Sequence, residues 1–346
     1  MKTEDHQRHN HFTLEQTSII VLLFGTLFMT SCTPFGHLTR ISPDVHEGPQ
    51  AIQCGACHVE QYREWQGSAH AGAFTNKTFQ GAAGSPAEEE CLKCHTPLGI
   101  QEKQEARSFH QEEGVTCVSC HLSQGKMVGP HATSALFTPH PVQENSQLYQ
   151  SPALCATCHA ETLSQWQKAA AGQQVRSCQD CHMPTVQRRA TQGTNLFSTL
   201  LVSFEDKVQT RRHAMTLETM ANSQGAVTIS TLAMNQGPDT PALAIIIGNN
   251  LPHDLPTGTF GTKEIQLSLV FLLDGVQVAE KKVMVSDEKN PVAAGDSKKL
   301  VLHLSSAAAH ADTLYLNLER HSASHAGRPP IILSSKIIDS VSEAFH

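Results

Sequence analysis

Ten of the eleven cysteines in this 346-residue chain fall into one pattern: two cysteines separated by two residues and followed at once by a histidine. The five copies are Cys54-Cys57-His58, Cys91-Cys94-His95, Cys117-Cys120-His121, Cys155-Cys158-His159 and Cys178-Cys181-His182. Two thiols at this spacing can each form a thioether to one vinyl group of a single porphyrin, and the adjoining histidine then meets the iron; C-x-x-C-H is the attachment pattern of c-type haem. Paired cysteines also bind zinc or form redox disulfides, but neither use needs a histidine next to the second cysteine. With 21 histidines in 346 residues, five out of five by chance is about one in a million. The pattern predicts five c-type haems, with the ten cysteines as covalent attachment points and the five histidines as proximal iron ligands.

The second axial position of each iron decides between a wire and an enzyme, because a haem ligated on both sides has no place for substrate. Outside the motifs, residues 51–260 hold six further histidines. Five are expected as distal iron ligands: His70, His131, His140, His213 and His253. His70 lies among Gly67, Ser68, Ala69 and Ala71, small residues that let a flat macrocycle approach. Prolines 130, 139 and 141 stiffen the backbone beside His131 and His140. His213 follows Arg211 and Arg212, cations able to pair with propionates. His253 would come from the C-terminal part of the chain. His110, beside Gln111 and Glu112, reads as a solvated spare. Met127, Met215 and Met220 are the sulfur alternatives.

The elements that must hold these groups include an internal repeat. Cys54–Gln66 (CGACHVEQYREWQ) and Cys155–Gln167 (CATCHAETLSQWQ) share the cysteines, the histidine, a glutamate two residues on, and a Trp-Gln pair. Cys91–Pro97 (CLKCHTP) and Cys178–Pro184 (CQDCHMP) form a second related pair. The order implies duplication of a two-haem unit around a central motif. The stretch after each first-type histidine lacks Gly and Pro through the tryptophan and predicts a short helix, with Trp65 and Trp166 packed on haem. Aligned on tryptophan, Ala171 stands where the first copy has His70, so the fourth haem must find its partner elsewhere or be open.

Residues 51–220 otherwise show little regular secondary structure; with only 5% aromatic residues, porphyrins are expected to fill that core. From about 221 the pattern changes. Strand-like runs occur at 226–229, 243–247, 264–273, 276–285, 299–304, 313–318 and 331–338, with Asp274-Gly275 as a hairpin turn between two of them. Seven short strands predict an antiparallel β-sandwich over 221–346. The fold class expected is α+β: a haem-packed, mostly helical and irregular cytochrome domain, then the sandwich.

The haem region resembles the multihaem c-type cytochromes related to the tetrahaem electron carriers and octahaem oxidoreductases of hydroxylamine metabolism. The resemblance rests on E-Q-Y-R-E-W-Q-G-S-A-H after the first motif, Gly114-Val115-Thr116-Cys117 entering the third, and C-Q-D-C-H-M-P at the fifth. Many such proteins carry G-A-G-H-x-L-P-T-G in a C-terminal β-domain, with a histidine that looks like a haem ligand. The stretch 249–258 keeps H-x-L-P-T-G, at His253, without the preceding Gly-Ala-Gly.

Haem is attached to cysteine outside the cytoplasm, which calls for export. Residues 18–29 (SIIVLLFGTLFM) are apolar over a length suited to a signal peptide. Thr30-Ser31-Cys32 resembles a lipoprotein cleavage site, giving the leftover Cys32 a role as a lipidated N-terminus. The organisation expected is a signal over 1–31, a Pro/Gly-containing tether over 32–50, the pentahaem domain over 51–220 and the sandwich over 221–346. The net charge of −7, with about five more negative charges from oxidised haems, and the lack of a basic patch exclude nucleic acid as partner. The leading expectation is an electron carrier between redox protein partners, exported and lipid-anchored in the periplasm or at the outer-membrane surface. Two alternatives stand beside it. One is a haem enzyme acting on a small nitrogen or sulfur compound, although no C-x-x-C-K motif is present. The other is an oligomer or extracellular filament joined by a ligand such as His37, His46 or His110.

Overall fold

The computed structural model describes residues 49–82, 88–99, 105–124, 126–131, 142–172, 175–194, 199–200, 202–203, 205–215, 225–235, 241–258, 262–322, 329–339 and 341. The expected signal, Cys32, the tether up to residue 48, His37, His46, His140 and Met220 lie outside these residues.

The N-terminal half is a series of short helices that carry or flank the motifs. They are α1 (Ala51–Gly55), α2 (Val59–Gln66), α3 (Lys77–Ala82), α4 (Glu88–His95), α5 (Cys117–His121), α6 (Ser146–Gln150), α7 (Ala153–Ala156), α8 (Ala160–Ala170) and α9 (Cys178–His182). A cysteine pair three residues apart is placed on one helix face by the 3.6-residue period. The third and fifth motifs are themselves the whole of α5 and α9, and the second ends α4. In the first and fourth, the helix ends before the second cysteine, at Gly55 and Ala156, and His58 and His159 become the N-cap residues of α2 and α8. Small strands bind these turns together. β1 (Leu122–Ser123), β2 (Lys126–Gly129) and β3 (Val142–Glu144) form one sheet, and β4 (Thr185–Arg188) pairs with β5 (Val208–Arg211).

Among the described residues the C-terminal half holds seven strands, and every run expected from the sequence overlaps one of them. Strands β6 (Val227–Asn235), β7 (Pro241–Asn249) and β10 (Ser297–His303) form one sheet in the order β10-β7-β6. Strands β8 (Lys263–Leu273), β9 (Val276–Asp287), β11 (Thr313–Ser322) and β12 (Ile331–Asp339) form the other in the order β12-β11-β8-β9. All these pairings are antiparallel. Alternate residues point inward: Ile245 and Ile247 from one sheet, and Ile265, Leu267, Leu269, Leu314, Leu316 and Leu318 from the other, are all fully buried in one shared core. Each such side chain contributes about 1.5–3 kcal/mol. Asp274 and Gly275 both take positive φ, 52° and 76°, the conformation a two-residue hairpin turn needs between Leu273 and Val276.

The two halves meet where α8 touches the loop after β7. Gln165 Oε1 accepts from the Asp254 amide at 3.1 Å and from Thr257 Oγ1 at 2.7 Å. Thr257, having donated there, accepts from Thr162 Oγ1 at 2.9 Å.

Candidate functional site

Each motif presents two thiols and one imidazole, and the backbone fixes the tautomer of most of the rings. The Nδ1 of His58 lies 2.8 Å from the Ala190 carbonyl, that of His95 2.7 Å from the Ala73 carbonyl, and that of His121 2.9 Å from the Val128 carbonyl. Outside the motifs, His213 Nδ1 lies 3.0 Å from the Arg211 carbonyl and His253 Nδ1 3.0 Å from the Asp254 carbonyl. A carbonyl only accepts, so Nδ1 carries the proton in all five and the Nε2 lone pair is left for a metal. Aromatic neighbours hold ring orientation. Phe79 stacks on His95 with centroids 4.1 Å apart, and Tyr149 stacks on His121 at 5.2 Å with its single hydroxyl proton shared between the Cys120 and Val128 carbonyls.

Two of the expected distal histidines face motif histidines. The His70 and His159 rings have centroids 6.2 Å apart, and the His121 and His213 rings have the same separation of 6.2 Å. Two imidazoles bound trans on one metal ion, each through a bond of about 2.0 Å, have centroids roughly 6.3 Å apart. His182 is close to His253 and His159, which oppose its protonation. Burial, and then neighbouring histidines, hold His70, His182 and His213 down to about 4. His121, His159 and His253 are also lowered, chiefly by burial. All are therefore neutral at pH 7, the form that binds metal. His131 is exposed at the end of the β2 segment. His110, the spare, has its Nδ1 3.0 Å from Gln50 Nε2 and stands 3.5 Å from Glu112. The repeat left the fourth motif without its own counterpart of His70; the ring opposite His159 is His70 itself.

Cysteines of different motifs lie next to one another: Cys54 by Cys117, Cys94 by Cys158, and Cys155 by Cys178. Thus the first motif adjoins the third, the second adjoins the fourth, and the fourth adjoins the fifth. The sites also fit an anionic group. Arg107 is 1% exposed, and its Nε and Nη1 make no hydrogen bond. Nη1 pairs with the Glu113 carboxylate at 3.6 Å and Nη2 donates to the Gly114 carbonyl at 2.6 Å, which leaves Nε as the donor that suits a propionate. Covalent haem therefore fits the residues present: cysteines three residues apart, imidazoles whose Nδ1 donates to a carbonyl, ring pairs at the right separation, and a buried guanidinium whose Nε makes no hydrogen bond.

Sequence reasoning missed several supports. Glu64 accepts from both Arg188 Nη groups, at 2.8 and 3.0 Å, and from the His213 amide at 2.8 Å. Burial pushes its carboxyl up, but Arg188 and the His213 amide outweigh this and hold it below the usual range. Arg211 and Arg212, read as propionate partners, are engaged with Asp180 at 2.8 Å and Glu64 at 3.6 Å. The tryptophan indoles each donate to a carbonyl, Trp65 to Val115 at 2.8 Å and Trp166 to Arg176 at 2.9 Å.

Gly114 fixes the approach to His70. It takes φ 62°, the Val115 amide donates to the His70 carbonyl at 3.0 Å, and a Cβ on Gly114 would lie 2.4 Å from that carbonyl oxygen. Gly114→Ala is expected to destabilise the protein by about 1–3 kcal/mol, read by chemical denaturation, and to displace the His70 ring from its place opposite His159.

A family model described as cytochrome c554 and c-prime matches residues 53–122. No curated protein matches the chain. Among solved structures, the chain is similar to a penta-heme cytochrome c552 from Thermochromatium tepidum, with 16% identity, 82% of this chain and 97% of that chain covered, and a TM-score of 0.56. It is also similar to a putative ApaA protein from Bordetella pertussis, at 11% identity over 33% of this chain and 91% of that one, with a TM-score of 0.22. The first of these likenesses shows a shared fold, and the family match over residues 53–122 agrees with the C-x-x-C-H motifs found there.

Proposed function

We propose that this chain passes single electrons between redox protein partners through five c-type haems with histidine on both faces of the iron, held by residues 51–220 and by the sandwich over 221–346. The observation that carries the reading is the pair of 6.2 Å ring separations, His70 to His159 and His121 to His213. His182 with His253 is the third pair. His131 and His140 are the candidates opposite His58 and His95. Bound haem would supply a one-electron iron couple at each motif. The chain's own part is to keep these sites rigid and close, with motif histidines only 23 to 38 residues apart.

The neighbouring cysteines support an order. Cys54 and Cys117 join the first site to the third; Cys155 and Cys178 join the fourth to the fifth; Cys94 and Cys158 attach the second to the fourth. Cys120 acts electrostatically on Cys155 and Cys158, which brings the third site next to the fourth. The path proposed is first, third, fourth, fifth, with the second as a branch at the fourth. Export, with anchoring through a lipidated Cys32 in the periplasm or at the outer-membrane surface, completes the proposal.

Low-temperature EPR of the oxidised protein, with haem quantified in parallel, tests the reading. Five low-spin centres per chain are expected. One high-spin iron per chain that shifts on adding nitrite or cyanide would overturn the carrier in favour of an enzyme. Mass spectrometry is expected to find a diacylated or triacylated Cys32 at the mature N-terminus, and an unmodified residue other than Cys32 there would refute the anchor.

A further inference from the structure

The repeat visible in the sequence pairs the first motif with the fourth. The contacts extend that equivalence further than the motifs themselves, and in a different register from the one the C-x-x-C-H-x-P similarity implies. The Trp65 indole donates to the carbonyl of Val115, two residues before Cys117. The Trp166 indole donates to the carbonyl of Arg176, two residues before Cys178. In both places the residue before the first cysteine donates its amide to the side chain three residues on: the Thr116 amide to Ser119 Oγ at 3.1 Å, and the Ser177 amide to Asp180 Oδ2 at 3.0 Å. The residue after the first cysteine is buried in each, Val118 at 0% and Gln179 at 1% exposure. The first cysteines of the two motifs lie next to one another in each, Cys54 by Cys117 and Cys155 by Cys178. The duplicated unit is therefore the first motif with the third, and the fourth with the fifth.

Superposed in this way, the residue before each tryptophan is Glu64 in one unit and Gln165 in the other. Glu64 accepts from the backbone amide of His213, at 2.8 Å. Gln165 accepts from the backbone amide of Asp254, the residue after His253, at 3.1 Å. We propose that Glu64 and Gln165 are equivalent positioning residues, each holding the main chain that carries a distal histidine, Glu64 for His213 at the third haem and Gln165 for His253 at the fifth.

This rests on the bis-histidine reading above and adds to it a device that sets ring placement. Main chain and ring are coupled in both segments, since His213 Nδ1 donates to the Arg211 carbonyl and His253 Nδ1 to the Asp254 carbonyl. Fixing the backbone therefore fixes the direction of Nε2. The two copies differ in charge. Gln165 is neutral and takes its second donor from Thr257 Oγ1. Glu64 is a carboxylate with 13% of its side chain exposed, gripped by the two Nη groups of Arg188 with Arg212 at 3.6 Å. Glu64→Gln keeps an acceptor for the His213 amide while leaving Arg188 without its counter-charge. It separates positioning from electrostatics.

The test uses the full haem-loaded protein and five variants, with low-temperature EPR and a spectroscopic redox titration as readouts. His213→Ala and His253→Ala identify the signals of the third and fifth irons by turning each high-spin. Glu64→Ala is expected to move part of the His213-dependent signal, and no other, to high-spin. Gln165→Ala is expected to do the same to the His253-dependent signal. Glu64→Gln is expected to leave all five irons low-spin and to shift the potential of the third alone upward, because an uncompensated Arg188 disfavours the ferric state. If Glu64→Ala and Gln165→Ala leave every signal at its original position, or broaden all of them alike, the positioning role is wrong while the ligand assignment stands. If His213→Ala and His253→Ala produce no high-spin iron, the ligand assignment itself is wrong, and the inference falls with it. Should Glu64→Ala fail to load five haems, the Glu64→Gln potential carries the test, and no selective shift there overturns the proposal for Glu64.

Discussion

Replacing His70 by alanine is expected to convert one haem iron in five from low-spin to high-spin and to open it to added cyanide, and that iron is the one at His159. The geometry is specific: the two rings are 6.2 Å apart and tilted by 35°, close to the roughly 6.3 Å that two imidazoles on one metal ion require. The thioethers to Cys155 and Cys158 do not depend on His70, so haem content should stay at five while the spin state changes. The segment itself stays anchored through main-chain bonds, from the Val115 amide to the His70 carbonyl at 3.0 Å and from the Ala73 amide to the same carbonyl at 3.1 Å, which alanine retains. An EPR spectrum unchanged by His70→Ala would reject the pairing. Acid should act in the same direction. A histidine whose pKa is lowered on folding, as those of His70, His182 and His213 are to about 4, is neutral in both states above the ordinary value near 6.5. Below that value the unfolded chain binds the protons and the fold does not, so stability falls as pH drops from about 6.5 toward 4. A circular-dichroism melt series across that window checks the sign.

The five C-x-x-C-H motifs stand out in the sequence because covalent haem attachment would constrain residue type and spacing within five consecutive positions. The seven C-terminal strands were legible for a similar reason: a two-residue alternation along Glu264–Leu273 or Thr313–Leu318 is a local signal, and Asp274-Gly275 states its own turn. The facing of rings was not local. His70 lies 12 residues after His58 and 89 before His159, and nothing in the sequence says that the chain folds back so that its ring faces that of His159. Alignment on tryptophan showed that the fourth motif lacked its own counterpart, and the fold supplies one from the other copy. The register of the duplication was hidden by a short-range resemblance: Cys91–Pro97 and Cys178–Pro184 look alike as strings, whereas α5 and α9 are alike in their caps, their buried second residue and their tryptophan contact. Glu64 and Gln165 were visible at matching positions, but a carboxylate and an amide have no common meaning until the amides they accept from are known. Arg107 gave no signal, since a lone arginine in a polar stretch ordinarily reads as surface.

Glu113→Gln is expected to destabilise the protein by about 2–3 kcal/mol, because Arg107 is buried and Glu113 is its charged partner. Arg107 has 1% of its side chain exposed and Glu113 16%, and the nearest contact, Nη1 to Oε2, is 3.6 Å. The long contact and the partial exposure place the effect below the 3–5 kcal/mol that loss of one member of a fully buried, well-bonded pair costs. Burial already pulls the guanidinium downward, with Glu113 the main opposing charge, so the amide variant removes what keeps Arg107 protonated at low cost. The same carboxylate accepts from the Ala51 amide at 3.1 and 3.2 Å; glutamine retains one acceptor oxygen there, so the loss measures charge more than capping. Arg107→Met should cost less, near 1–2 kcal/mol, since it deletes the buried charge together with one hydrogen bond, from Nη2 to the Gly114 carbonyl at 2.6 Å. The double variant should then be little worse than Arg107→Met alone, a coupling that a denaturation cycle reads directly. Additive losses would show that Glu113 acts on α1 and not on Arg107. The expected coupling matters beyond stability, because Gly114 carries both the Arg107 bond and the close approach to the His70 carbonyl. A pair that holds Gly114 in place thereby holds the backbone of the histidine facing His159.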